Sequence, residues 1–166
     1  MKMPEKESDI AGVAKHVLEA LLTKIGVTAS IEPQAKPLVG GEEGVTAPIT
    51  LDIKGDDLGI LIGRQGQTLS CLKYIVRLIV GRQTKAWVPI IVDVEGYKQR
   101  RYEALRALAW RMAEQVEANG MPFTLEPMPA YERRIIHLAL AEHPAVTTES
   151  IGEGEARKVV ILPREQ

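Results

Sequence analysis

Apolar residues near the amino terminus recur at helical spacing. Ile10, Val13, Ala14, Val17, Leu18, Leu21, Leu22 and Ile25 fall on one side of a 3.6-residue repeat, with Ser8 or Asp9 able to cap its start and Gly26 to stop it. That pattern predicts an amphipathic helix. Residues 27–32 follow as a short strand, and the Pro- and Gly-rich stretch 33–44 reads as a connection rather than a domain boundary. Over 46–54, alternation through Ile49, Leu51 and Ile53 is that of a half-buried strand. Asp56 is placed to cap a brief helical turn that ends at Ile62, where Gly63-Arg64-Gln65-Gly66 interrupts it. A second helix then carries Leu69, Leu72, Ile75, Val76 and Ile79 inward, and Gly81 can end it. Residues 87–94 are rich in Val and Ile, and Pro89 makes this strand an edge or gives it an irregular start.

The carboxyl-terminal half repeats the logic with a longer helix. From 95 to 119 the pattern turns Tyr102, Leu105, Leu108, Ala109, Met112 and Val116 inward, and Gly120 closes it. A strand at 123–126 and a helix at 129–142 with proline in its first turn come next. Two strands, 146–150 and 157–162, are joined by a turn at Gly152-Glu153-Gly154. The 166 residues thus divide into a tail, 1–8, a first domain, 9–97, and a second domain, 98–166, with the long helix joining the halves. The predicted fold class is α+β, two small α/β sandwiches.

Composition adds exclusions more than direction. Apolar residues at 45% and charged residues at 26% are ordinary for a globular chain. No segment approaches the roughly 18 apolar residues needed to cross a bilayer, so no membrane insertion is expected and a cytoplasmic location follows by default. Cys71 is the single cysteine, which rules out a disulfide or a thiolate metal site within one chain and predicts a buried structural thiol. Net charge is −1, which at first speaks against a polyanionic partner. The distribution reverses that reading: residues 54–111 hold 11 basic and 5 acidic side chains, whereas both flanks are acidic.

The order helix, strand, strand, helix, glycine turn, helix, strand is that of the bacterial, type II KH domain. Within it, Leu61-Ile62-Gly63-Arg64-Gln65-Gly66-Gln67-Thr68-Leu69 closely resembles the signature around that family's Gly-x-x-Gly loop. A bare Gly-x-x-Gly marks an ordinary turn in most chains, so the flanking elements carry the specificity. Gly59, Gly63 and Gly66 do not make Gly-x-Gly-x-x-Gly, and the Gly-Lys-Ser/Thr of a P-loop is absent. Two glycines without Cβ atoms let the backbone approach a sugar-phosphate chain closely, and the amides opening the next helix bring the positive end of a dipole. Arg64 then projects as a direct phosphate partner, Gln65 offers a neutral hydrogen bond, and Lys73 and Arg77 extend the charge along the helix. The resemblance implies that Ile60, Ile62 and the strand near 90–92 supply an aliphatic floor for roughly four bases.

Arg133 and His137 stand four residues apart, so they share one helical face, while Ile135, Ile136 and Ala139 occupy the other. This resembles the single-stranded nucleic-acid-binding family named for an Arg, three intervening residues and a His. Arginine supplies a permanently charged fork for phosphate, and histidine a donor that need not be charged at neutral pH. Arg134 either contributes to this grip or pairs with Glu132 or Glu126 as a surface residue. Coupled to the preceding KH pattern, the pair resembles the Jag, or SpoIIIJ-associated, family of bacterial RNA-binding proteins. Members of that family commonly carry a further amino-terminal domain, whose roles are not transferred to a chain that begins almost at the KH helix.

These features predict a non-catalytic binder of single-stranded RNA, with single-stranded DNA also open, and no cofactor or metal. His16, His137 and His143 lie on separate segments, and Asp56-Asp57 read as capping charges rather than metal ligands. The resemblance implies RNA-level regulation linked to cell-envelope growth and division. The alternative is a scaffold with degenerate nucleic-acid surfaces, bound to the ribosome or to a KH-domain protein, which the acidic flanks and an expected lack of exposed aromatic stacking platforms favour.

Overall fold

The computed structural model describes residues 5–34 and 48–164. Most of the predicted 33–44 connection lies outside the described residues. The chain divides after Tyr97 into two compact units.

The first unit contains α1 (Glu5–Lys24), β1 (Ser30–Gln34), β2 (Ile49–Lys54), α2 (Gly59–Ile62), α3 (Gln67–Thr84) and β3 (Ile90–Val94), with a 3-10 turn at Arg64–Gly66. Its sheet has the order β1-β2-β3, antiparallel and then parallel. Ile49, Leu51 and Ile53 of β2 alternate onto one face with Ile90, Val92 and Val94 of β3, and all six are buried. Over that face pack Ala14, Val17, Leu18 and Leu22 of α1 and Leu69, Leu72, Val76 and Val80 of α3. Each such Val, Leu or Ile side chain withdrawn from water contributes about 1.5–3 kcal/mol.

Several expected boundaries move. α1 starts at Glu5 rather than at a Ser8 or Asp9 cap, because Glu and Lys are good helix formers that carry a helix beyond its first apolar position. Asp56 does not cap α2; Leu58 holds the N-cap position and makes no side-chain cap. α3 runs through Gly81 to Thr84 and ends where Lys85 turns left-handed. Its inward stripe is therefore Leu69, Leu72, Val76 and Val80, which leaves Ile75 exposed and turns Cys71 to solvent, contrary to the buried thiol expected. β3 begins at Ile90, after Pro89, and is an edge strand, as the proline required.

The second unit contains α4 (Tyr97–Asn119, its first residue at the boundary), β4 (Phe123–Thr124), α5 (Ala130–Leu140), β5 (Val146–Ile151) and β6 (Lys158–Pro163). Its antiparallel sheet has the order β4-β6-β5. Leu105, Ala109, Ala113 and Val116 of α4 share a core with Ile136 and Leu140 of α5 and Val146, Val159 and Ile161 of the sheet. Tyr102, expected inside, is exposed, and Ala113 takes an inward place the pattern had not given it.

The outer face of the first sheet is acidic. Glu32, Asp52 and Asp93 stand in one cross-strand row, and Lys54 approaches Glu32 at 3.6 Å and Asp52 at 3.8 Å. Burial raises the Asp52 carboxyl above its ordinary 3.8; Lys54 opposes the shift, while Asp93, Glu95 and Glu32 add to it. A carboxyl raised on folding disfavours the folded state where it is ionised, so the cost is full above its folded pKa and vanishes below 3.8. Asp52→Asn is expected to raise the melting temperature at neutral pH, with the gain shrinking toward pH 4. Thermal unfolding across that range checks this, and an equal effect at both ends would contradict it.

Candidate nucleic-acid interfaces

In the first unit the glycine turn joins α2 to α3. Gly63 has φ 68° and ψ −173°, and Gly66 has φ 75° and ψ 15°. The first combination is open essentially to glycine alone. A Cβ at residue 63 would also collide with the Thr68 side chain and lie 3.1 Å from the Thr68 amide nitrogen. Gly63 is thus required by the chain itself, whatever approaches from outside. Gln65, between them, is left-handed at φ 51°, so the turn bends sharply within three residues.

α3 opens with no side-chain cap and no acidic residue in its first turn. Its N-terminal dipole is therefore not neutralised by a local carboxylate. Arg64 is exposed beside it, Gln65 is half-buried, and Ile62 is half-buried against the core. Lys73 and Arg77 are half-buried one turn apart on α3, and Arg77 lays its guanidinium on the indole of Trp87. Residues 58–92 contain Arg64, Lys73, Arg77, Arg82 and Lys85 and no Asp or Glu. The expected aliphatic floor is corrected in part: Ile60 is exposed, but Ile90 and Val92 belong to the core face of the sheet. The expected lack of aromatic platforms is also wrong, since Trp87, Tyr74 and Tyr131 are all exposed.

In the second unit Pro129 sets the start of α5. Glu132, one residue before Arg133, is completely buried and takes a two-pronged ion pair from Arg101 of α4, with both N···O distances 2.8 Å. Arg134 is exposed and, among the described residues, makes no ion pair, because Glu132 is already engaged by Arg101. Arg133 donates from Nε to the Met128 carbonyl at 3.3 Å and from Nη1 to Ser150 Oγ at 3.2 Å. His137 Nε2 meets the same Ser150 hydroxyl at 2.8 Å, and its Nδ1 meets Thr148 Oγ1 at 2.7 Å. One ring nitrogen donates and the other accepts. Burial lowers the His137 pKa from its ordinary 6.5, and the Arg133 and Arg157 charges lower it further. The imidazole is therefore neutral at neutral pH, a hydrogen-bonding group held by two hydroxyls within the field of two arginines.

Sequence reasoning found Arg133, His137 and the strand at 146–150, but not that Thr148 and Ser150 of that strand face the pair. The available signal was the period-two spacing of Val146, Thr148 and Ser150, which puts both hydroxyls on the inward face of β5.

A family model described as the KH domain of KhpA/KhpB matches residues 15–92, and the model of the domain named for its Arg-x-x-x-His motif matches residues 103–163. The chain thus carries a KH domain of the KhpA/KhpB kind followed by an Arg-x-x-x-His domain, consistent with the KhpB, or Jag, family. It is 45% identical over 118 residues to RNA-binding protein KhpB of Clostridium symbiosum, covering 70% of this chain and 53% of that protein. RNA-binding protein KhpB of Bacillus subtilis (strain 168) is 36% identical over 130 residues, covering 74% of this chain and 62% of that protein. RNA-binding protein KhpB of Lactiplantibacillus plantarum is 31% identical over 158 residues, covering 95% and 46%. The chain thus spans about half the length of the curated relatives it matches. Neither matched model describes an enzyme. Among the described residues, no helix is long and apolar enough to cross a membrane.

The Arg-x-x-x-His unit depends on the Arg101–Glu132 pair, because removing one partner of a buried pair strands the other charge. Glu132→Ala is expected to cost about 3 kcal/mol, the low end of the usual range because Arg101 keeps some access to water. Denaturant unfolding measures it, and a loss below about 0.5 kcal/mol, the scale of a surface pair, would refute the assignment.

Proposed function

We propose that this chain binds single-stranded RNA without catalysis, through an anion site in each unit. In the KH unit, Gly63, Arg64, Gln65 and Gly66 receive the sugar-phosphate backbone, Ile62 borders it, and Lys73 and Arg77 extend the attraction along α3. In the second unit, Arg133 and His137 hold a phosphate and Arg134 adds exposed charge beside them. The observation that carries this reading is the left-handed glycine turn, opening onto an uncapped helix in a 35-residue stretch free of carboxylates. The relatives' names, RNA-binding protein KhpB, support it. A cytoplasmic role in RNA-level regulation linked to envelope growth and division accords with the Jag resemblance.

A second reading is a scaffold for a KH-domain protein or the ribosome. It draws on the exposed apolar stripe Tyr74, Ile75 and Leu78 along α3.

Filter binding of a single-stranded oligoribonucleotide across a salt series separates the two readings. Gly63→Asp is a poor probe, since it would break the turn internally. Arg64 is exposed, so Arg64→Glu leaves the fold alone; affinity should fall about tenfold or more, and the log–log salt slope should flatten by about 0.7 for the lost phosphate contact. Retained affinity and slope would sink the KH assignment. A DNA strand of the same sequence, run alongside, tells whether the sugar matters.

For the second unit the pH dependence follows from His137. Protonation below its lowered pKa adds a cation beside Arg133, and a bound phosphate favours that form. RNA affinity should therefore rise as pH falls below 6.5. His137→Ala should abolish the rise, and a rise that survives the substitution would remove His137 from the site.

A further inference from the structure

Trp87 lies on the loop between α3 and β3 and is 70% exposed. Arg77 reaches from α3 to place its guanidinium 3.7 Å from the ring centre. That contact holds the indole in one orientation by cation–π attraction and covers one of its faces. With 70% of the residue still in water, the other face is open. A rigid flat apolar ring, pinned on one side and wet on the other, is what an unpaired base needs as a stacking partner.

The surroundings select the occupant. Arg77 follows Lys73 by one turn on the same flank of α3, so cations continue from the glycine turn toward the indole. At 1.5 Å per residue, Arg77 sits about 16 Å along the helix from Gly66, within reach of a strand whose phosphates occupy the turn. Lys85 and Arg82 flank the loop, and the first carboxylates in sequence on either side are Asp57 and Asp93. An exposed ring in a stretch of chain that carries charge of one sign suits a polyanion with aromatic bases.

We propose that Trp87, held by Arg77, is a stacking platform for a base of the RNA strand bound at the glycine turn. The proposal rests on the RNA-binding reading of the KH unit and adds to it a contact with a base face. Because every base has such a face, the platform takes any base and sets the length of strand needed rather than its sequence.

The chain has two tryptophans, so Trp110→Phe leaves emission from Trp87 alone. Titrating that protein with single-stranded oligoribonucleotides should quench the emission, and only above the length that spans from the turn to the loop. Trp87→Ala should weaken binding about tenfold, the usual loss for one stacked base, and leave the salt slope unchanged. Trp87→Phe should recover part of the affinity, which mere damage to the loop would not allow; circular dichroism checks that each variant is folded. If RNA binds and Arg64→Glu weakens it while emission and affinity ignore residue 87, the platform is refuted and the RNA reading survives. If no RNA binds, both fall together. Should Trp87→Ala change the molecular mass by light scattering but not RNA affinity, the ring serves a protein contact and the proposal is overturned.

Discussion

The conformation of Gly63 is the constraint on which the KH unit's candidate site depends. At φ 68° and ψ −173° the chain leaves α2 in a region closed to other residues, with Thr68 of the next helix packed where a side chain would begin. That local fit lets α3 start almost at once, so its first amides emerge beside the exposed Arg64 instead of at the end of a longer loop. The glycine usually credited to an approaching backbone is thus first a condition of the turn's own geometry. A backbone site built this way is preformed: the dipole and the close approach exist before any ligand arrives, and binding has little backbone left to order.

The candidate site of the Arg-x-x-x-His unit is built by a different route. It is made of side chains, and side chains must be held. Arg133 is tied to a backbone carbonyl and a hydroxyl, His137 to two hydroxyls, and α5 itself is locked by Glu132 inserted toward Arg101. The cost of burying Glu132 is offset only because both carboxylate oxygens receive a charged donor. Burial, with the charges of Arg133 and Arg157 adding to it, keeps His137 neutral, so no third positive charge joins the two arginines when no anion is present.

What the sequence revealed followed its periodicities. The alternation of Ile49, Leu51 and Ile53 specified the core face of β2, and the Gly-x-x-Gly and the Arg133/His137 spacing announced themselves because both are local in sequence. What stayed hidden was whatever depended on elements far apart in the chain. Arg101 and Glu132 are separated by 31 positions, and a charged residue at 132 reads as surface until its partner is known. Thr148 and Ser150 look like ordinary strand residues until α5 is laid against β5. Cys71 and Ile75 were misjudged for another reason: apolar residues cover more than one side of α3, and composition alone does not say which side meets the sheet.

The same long-range geometry explains how a chain of net charge −1 can present cationic surfaces. In the KH unit, Glu32, Asp52 and Asp93 alternate with core residues and so project from the sheet face opposite α3. Lys73 and Arg77 lie on α3, with the whole thickness of core and sheet between them and that acidic row. Helix and sheet layers stand about 10 Å apart, while the Debye length at physiological salt is about 8 Å. Salt in the surrounding water therefore weakens the carboxylates' field on the α3 side, while the core, which holds no ions, screens it less than open solvent does. An incoming polyanion meets the local charge of residues 58–92 rather than the average of the chain, so the overall balance is a poor guide to what this surface attracts.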